Sequence, residues 1–450
     1  MSRQLQLTSW NAELAQRFDS FPAPVVAVLA LYSFGVVLAK VSGLSTVVLF
    51  LSQHLASAKD ALRKRLREFY LDADDKSGVK QGQKRQDFDV TGAFAPLLRW
   101  ILSLWAGQSL PLAIDVTNLG DRFHVLCVSV VVQGTAIPVA WKVLRAGQKD
   151  PWNPHWKTLL SHLRPAVPDG WRVIVLSDRG LESPWLFRAI AALGWHPIMR
   201  IKKGGMFRPT GWGKFHPLER LAGRTNTTLS LEGLAYKGEK LRCTLLARWD
   251  EDYPEPWLLL TDLPPEAGAA IWYSLRTWIE QGFKVIKSGG WDWDKTRMEN
   301  PERVERLWLV LAVATLWVTA LGIDEEVRLE REAQQRHLER TLKESAEQAR
   351  RRQEQERLRR EKQEAARQER QARKQKRQAA KETAAKKQVV RRTESGATAK
   401  KRVHRVSVLG MAVLSAAWTR GENPLPAALH PEPWPIADHA IATLNEQDFL

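Results

Sequence analysis

The stretch Ser109-Leu110-Pro111-Leu112-Ala113-Ile114-Asp115-Val116-Thr117 is a short apolar run that stops on a carboxylate. Its length and its β-branched residues suit a buried strand better than a helix. Two more β-rich runs follow, over 123–132 and 136–144, split by the hairpin signal Gln133-Gly134-Thr135. Helical spacing then covers 154–163, and an apolar strand over 171–176 ends at Ser177-Asp178-Arg179-Gly180. A helix over 184–193 is closed by Gly194, and a further strand covers 196–201. Three strands, a helix, a strand, a helix and a strand specify the α/β class, with a mixed sheet covered by helices.

Outward from this core the composition changes twice. Residues 203–262 are richer in Gly, Thr and alternating patterns (227–231, 241–249, 257–261), which reads as a small all-β insertion. A long helix is expected over 265–287, and another over 301–321, apolar along one side. Toward the N-terminus, residues 1–90 read as helical. The apolar stretch 24–51 is broken by Lys40 and Ser42-Gly43, so neither half reaches the roughly 20 residues a bilayer requires. Two buried helices are the expectation there, and no membrane association. No secretion signal is legible in the polar opening residues. A helix over 45–55 followed by a basic one over 59–70, with Arg63, Lys64 and Arg67, matches the pattern of a helix-turn-helix DNA reader. The solvated basic face of a helical bundle accounts for the same residues.

The 450-residue chain has room for two or three domains. Its net charge is +18, and residues 331–402 alone hold 25 basic against 11 acidic residues, or +14. The segment 324–401 is built from Glu, Arg, Gln, Lys and Ala, the composition of a long charged C-terminal helix or coiled coil. Its apolar positions are too sparse for a sustained heptad seam. It is either a solvated helix or a nonspecific DNA-affinity element acting through phosphates. Residues 403–418 read as a short helix, and the tail with Pro424, Pro426, Pro431, Pro433 and Pro435 as extended chain, within a final segment 402–450. Two cysteines exclude a disulfide scaffold and point to a reducing compartment.

The chemistry gathers on three acidic residues. Asp115 and Asp178 each end a buried strand, where a carboxylate pays for desolvation unless a cation or a cap compensates it. Either one alone reads equally as a turn residue. On the expected helix 265–287, Tyr273, Arg276, Glu280 and Lys287 fall at roughly 0°, 300°, 340° and 320°, and Lys284 at about 20°. One stripe then presents a carboxylate with a phenol and three cations, the equipment of a phosphodiester site: metal on Glu280, phosphates on Tyr273, Arg276, Lys284 and Lys287.

The order Asp115, Asp178, Glu280, with the glutamate inside Tyr273-x2-Arg276-x3-Glu280-x6-Lys287, resembles the DDE transposases of bacterial insertion sequences, specifically the insertion-sequence-four family. Ala113-Ile114-Asp115-Val116-Thr117, Leu176-Ser177-Asp178-Arg179-Gly180, Thr296-Arg297 and Pro301-Glu302-Arg303 are similar to the family's text, so the resemblance covers roughly 109–322. It implies a ribonuclease-H-like catalytic domain over 109–322, interrupted by the β insertion at 203–262, behind an N-terminal DNA-binding region at 1–90. It also implies two Mg²⁺ ions on Asp115, Asp178 and Glu280, with Mn²⁺ able to substitute. The implied partners are double-stranded DNA, as the element's terminal inverted repeats and the target, with a dimer in the DNA complex. The implied location is the bacterial cytoplasm, at the nucleoid. In hairpin-forming, cut-and-paste members a tryptophan opening a strand such as Trp257-Leu258-Leu259-Leu260-Thr261 holds a flipped base; Trp257 also reads as a buried strand residue. A catalytically silent DNA-binding relative, or a scaffold built on 24–51 and 324–401, are the alternative readings.

Overall fold

The computed structural model describes residues 3–76, 88–149, 151–222, 225–374, 405–436, 440, 441, 444 and 446. The parts of the expected 1–90, 324–401 and 402–450 segments at 77–87, 375–404 and 437–439 lie outside the described residues. Two compact units divide the chain, Met1–Glu325 with Val403–Leu450, and Glu326–Arg402.

The first unit opens with four helices, α1 (Arg3–Arg17), α2 (Ala23–Ala39), α3 (Leu44–Leu55) and α4 (Lys59–Tyr70). The break expected near Ser42-Gly43 is real: α2 stops on Lys40 in the left-handed region, and α3 leaves at 94° to it. Next come α5 (Phe94–Ser103), β1 (Ser109–Leu119), β2 (Phe123–Val132), β3 (Thr135–Arg145), α6 (Asn153–Leu163), β4 (Arg172–Ser177), α7 (Pro184–Ala191) and β5 (His196–Arg200). These follow the expected order of strands and helices, with β2–β3 as the hairpin around Gly134 (φ 75°). The order β3-β2-β1-β4-β5, with β2 antiparallel to its neighbours and β1, β4 and β5 parallel, is the ribonuclease-H-like arrangement.

The β insertion expected over 203–262 is present as a set of strands that join the core sheet, with one short helix among them. It contains β6 (Met206–Pro209), β7 (His216–Pro217), the short helix α8 (Leu218–Leu221), β8 (Thr227–Ala235), β9 (Leu241–Trp249) and β10 (Trp257–Thr261). Strand β10 pairs antiparallel with β5, so the insertion extends the core sheet through β9 and β8 to β6 and β7. An edge strand of alternating apolar residues presents unpaired backbone groups, and pairing satisfies them.

The helices after it depart from the expected 265–287 and 301–321. A 3-10 turn (Ala270–Thr277) leads into α9 (Trp278–Ile286), and α10 then runs unbroken from Pro301 to Lys374. No Pro or Gly separates the apolar half of α10 from its charged half except Gly322, so the helix continues across the composition change. The apolar half has the length and hydropathy of a membrane span, yet 94% of its 18-residue window is buried inside the fold. Trp317 of α10 stacks on Trp10 of α1 at 3.8 Å and meets Trp418 of α11 (Arg405–Thr419) edge-on at 5.9 Å. The N-terminal helices thus share one core with the sheet domain, through aromatic packing. A two-residue strand β11 (Ala440–Ile441) pairs with β8.

In the second unit, α10 is exposed on every side over 333–367. Arg340–Glu344, Arg351–Glu347 and Arg360–Glu356 are paired one turn apart, and Leu338 and Leu342 each stand 59% exposed. This is the solvated charged helix that the composition indicates.

Candidate active site

Asp115 and Asp178 become neighbours because β1 and β4 are parallel. Their last register pair is Ile114 with Ser177, which leaves the two aspartates side by side just beyond it. Outside the carboxyl ends of parallel strands is where an α/β sheet forms its sites. Asp178 also fulfils its plainer reading: its Oδ1 accepts the Gly180 N–H at 2.7 Å and caps the turn at 179–181. Its Oδ2 is left pointing into the site. Asp115 Oδ1 is taken by the Val116 N–H at 2.8 Å, which likewise leaves Oδ2 free to face inward.

Helix α9 brings the third carboxylate. Its buried face, Ile279, Gly282, Phe283 and Ile286, follows helical spacing and lies on the hairpin. The contact is close: a methyl group at Gly282 would stand 2.5 Å from the Ala136 carbonyl oxygen, so only glycine lets α9 approach β3 this far. Glu280 in the first turn is consequently held near Asp115 and Asp178, with its side chain 56% exposed. Asp178 lies just past β4, whereas Asp115, expected to end its strand, sits within β1, which pairs with β2 on to Leu119.

All three carboxylates converge on Arg276. Its guanidinium donates to Asp115 Oδ2 at 2.7 Å, stands 3.5 Å from Asp178 Oδ2, and reaches Glu280 Oε1 at 3.4 Å. Burial raises the Asp115 carboxyl above the usual range, the nearby Asp178 and Glu280 charges add to this, and Arg276 opposes it. Burial pulls on Arg276 in the downward direction, but the three carboxylates outweigh it and hold the guanidinium charged. Its Nε remains buried with no hydrogen-bond partner.

This centre differs from the expected stripe. Residues 265–287 are not one helix: Tyr273 and Arg276 lie on the 3-10 turn and Lys287 lies past the end of α9. Ile271, Trp272, Tyr273, Ser274 and Thr277 are middling helix formers behind Pro264-Pro265, so tertiary packing decides the turn's shape. Lys287 donates to the Asn118 carbonyl at 2.8 Å at the far end of β1, and Lys284 is exposed. Tyr273 is buried rather than presented, its phenol raised by burial, with Trp257 against it at 5.4 Å. Trp257 is only 7% exposed, and Tyr253 covers its other side at 5.2 Å. The strand-residue reading therefore describes Trp257 as it stands. Arg63, Lys64 and Arg67 stand exposed on α4, away from the buried face Leu62, Leu66 and Phe69.

Among the described residues no three Asp, Glu, His or Cys side chains lie close enough together to enclose a metal ion as they stand. The expected ligands surround Arg276 instead. The donor set still suits a hard divalent cation, since three elements contribute carboxylate oxygens and one of these is buried beside its like charges. Sequence reasoning passed over two further cations here. Arg179 and Arg200 are both paired with Glu255, the latter at 3.1 Å, and the Arg200 guanidinium stands 5.9 Å from the Tyr273 ring centre. Their pairing holds the Glu255 carboxyl below the usual range, the bond from Arg179 contributing most. Position at the carboxyl end of a strand was the available signal for Arg200.

Residues 120–317 match the family model of the transposase DDE domain. The matched stretch contains Asp178, Glu280 and the Arg276 turn, and begins five residues after Asp115. No curated protein matches the chain. Among solved structures, the piggyBac transposase in a synaptic complex with hairpin DNA, studied by cryo-EM, is 13% identical. The match covers 69% of this chain and 70% of that one, with a TM-score of 0.35. That likeness is remote, whereas the DDE-domain match covers β2 to β10, the 3-10 turn and α9, and leaves out β1 with Asp115.

Proposed function

We propose that the protein is a DDE transposase of the insertion-sequence-four type, which cleaves element ends in double-stranded DNA and transfers them to a target by a cut-and-paste route. The observation that carries this reading is the convergence of Asp115, Asp178 and Glu280, from three separate elements, on one cationic point at the sheet's carboxyl edge. Asp115, Asp178 and Glu280 would hold divalent metal, Mg²⁺ or Mn²⁺, which when bound supplies charge stabilisation at a phosphodiester and an activated water or 3′-hydroxyl.

The chain's own groups divide the remaining work. Arg276 neutralises the three carboxylates and keeps them gathered. Lys284 is exposed one turn after Glu280. Arg179, next to Asp178, and Arg200, beside the Tyr273 ring, would exchange their Glu255 partner for the phosphates of a DNA backbone laid across the site. Exposed Arg63, Lys64 and Arg67 on α4 give the N-terminal region a DNA-facing surface. No covalent protein–DNA intermediate is required. Bringing two element ends together calls for at least a dimer in the DNA complex. Incubating the purified protein with DNA flanking its own gene, with Mg²⁺, should yield cuts at the element boundary. A protein that binds this DNA and leaves it intact would be the catalytically silent relative instead.

Two further outcomes follow from this reading. Deleting 331–402 should flatten the dependence of DNA binding on salt, because its closely spaced basic residues contact phosphates without reading bases. Loss of preference for element ends at an unchanged salt slope would instead make the tail a specific reader. Trp257→Ala should slow hairpin formation by roughly tenfold, since stacking an extruded base is worth about 1–3 kcal/mol. The first nick should slow less, through the packing lost on Tyr273, so that nicked DNA accumulates ahead of hairpin on a gel. Equal slowing of both steps would leave Trp257 a packing residue between Tyr253 and Tyr273.

A further inference from the structure

We propose that Trp434, on the strap that follows α11, is a positioning residue for the turn that carries Tyr273 and Arg276. The strap is fastened at three points before it reaches that turn. Trp317 Nε1 donates to the Pro424 carbonyl at 2.9 Å. The Leu429 N–H donates to the Leu104 carbonyl at 2.8 Å, and the Leu429 side chain is fully buried. At the tip of the β2–β3 hairpin, Glu432 Oε2 accepts the Gly134 N–H at 2.9 Å. Two residues later Trp434 meets Trp272 edge-on, with ring centres 5.0 Å apart and planes at 63°.

Trp272 immediately precedes Tyr273 in the eight-residue 3-10 turn Ala270–Thr277. Runs of 3-10 helix beyond three or four residues are uncommon, because their hydrogen bonds are poorly aligned. This turn therefore depends on what packs against it. Trp257 braces it through Tyr273, and Trp434 braces it through Trp272. Arg276 lies four residues after Trp272 and must be held within hydrogen-bond reach of Asp115. Misplacing a site group by about 1 Å can cost on the order of a hundredfold in rate. The strap thereby couples α11, the hairpin and the site through Trp434 and Trp272.

The inference rests on the transposase reading for its catalytic consequence, but its first test does not need DNA. In full-length Trp434→Ala, amide exchange across 270–277 should quicken about tenfold, as local opening becomes easier, while β1 and β4 exchange as in wild type. Trp272→Ala should do the same, and the double variant should add little more, because both remove one contact. Trp434→Phe should restore most of the protection. On element-end DNA, Trp434→Ala should lower kcat severalfold with KM for DNA unchanged. Unaltered exchange at 270–277, or equal loosening throughout the sheet, would overturn the proposal. If the wild-type protein cut no DNA, the proposed function would fall while the exchange result still decided the strap.

Discussion

Asp115→Asn, Asp178→Asn and Glu280→Gln should each lower DNA cleavage by roughly a thousandfold or more, since a metal-held charge contributes several kcal/mol to a phosphodiester transition state. Each substitution preserves side-chain shape and removes one of the three charges that face Arg276. The loss should be the same with Mg²⁺ or Mn²⁺. Because Arg276 keeps two carboxylate partners in each variant, the fold should persist, and affinity for element-end DNA should change by less than threefold or so, a difference under about 1 kcal/mol. Quantifying cut ends alongside a binding titration checks both halves. Cleavage at the wild-type rate in any one variant would remove that residue from the centre.

A second large effect is expected where α11 crosses α10. A methyl group at Gly410 would stand 1.7 Å from the Val318 carbonyl oxygen, and one at Gly322 would stand 1.8 Å from that of Val406. The two backbones touch, so neither Gly410→Ala nor Gly322→Ala can be accommodated without moving a helix. On a free helix surface the same change would stabilise by about 1 kcal/mol, from propensity alone. Here overpacking should reverse the sign and cost about 1–3 kcal/mol or more. Thermal unfolding reads the sign directly: a lower Tm for both variants is expected, and a rise in either would show that the helices are not in backbone contact there. Since the strap of Pro424 to Trp434 follows α11, undocking this helix should also carry off the brace on Trp272.

How much of this was legible beforehand differs from element to element. The apolar run closed by Asp115, the hairpin around Gly134 and the strand closed by Asp178 were readable because strand and turn signals are local. The break at Lys40–Gly43 was readable for the same reason, since it needs only a residue that leaves the helix and a glycine near it. The order of Asp115, Asp178 and Glu280, with Tyr273, Arg276 and Lys287 at fixed spacing, is a property of the chain alone, and it carried the likeness to a transposase domain. What the sequence by itself determined is therefore the α/β class, the order of elements along the chain up to β5, and the order and spacing of the acidic residues; that β1 would run on past Asp115 to Leu119 was not among these.

Tertiary structure decided the rest. Helical spacing over 265–287 assumed 100° per residue, but middling helix formers behind two prolines let packing against Trp257 and Trp434 draw residues 270–277 into a 3-10 turn. The insertion strands joined the core sheet because β5 offered them an open edge, and an edge is visible only once the sheet exists. The position of Arg276 among three carboxylates depends on the parallel register of β1 with β4 and on the approach of α9 to Ala136, contacts between residues distant in the sequence. Local pattern fixes what each segment is able to form. Long-range pairing fixes which charges meet, because burial makes a carboxylate at a strand end seek whatever cation the folded chain places nearest.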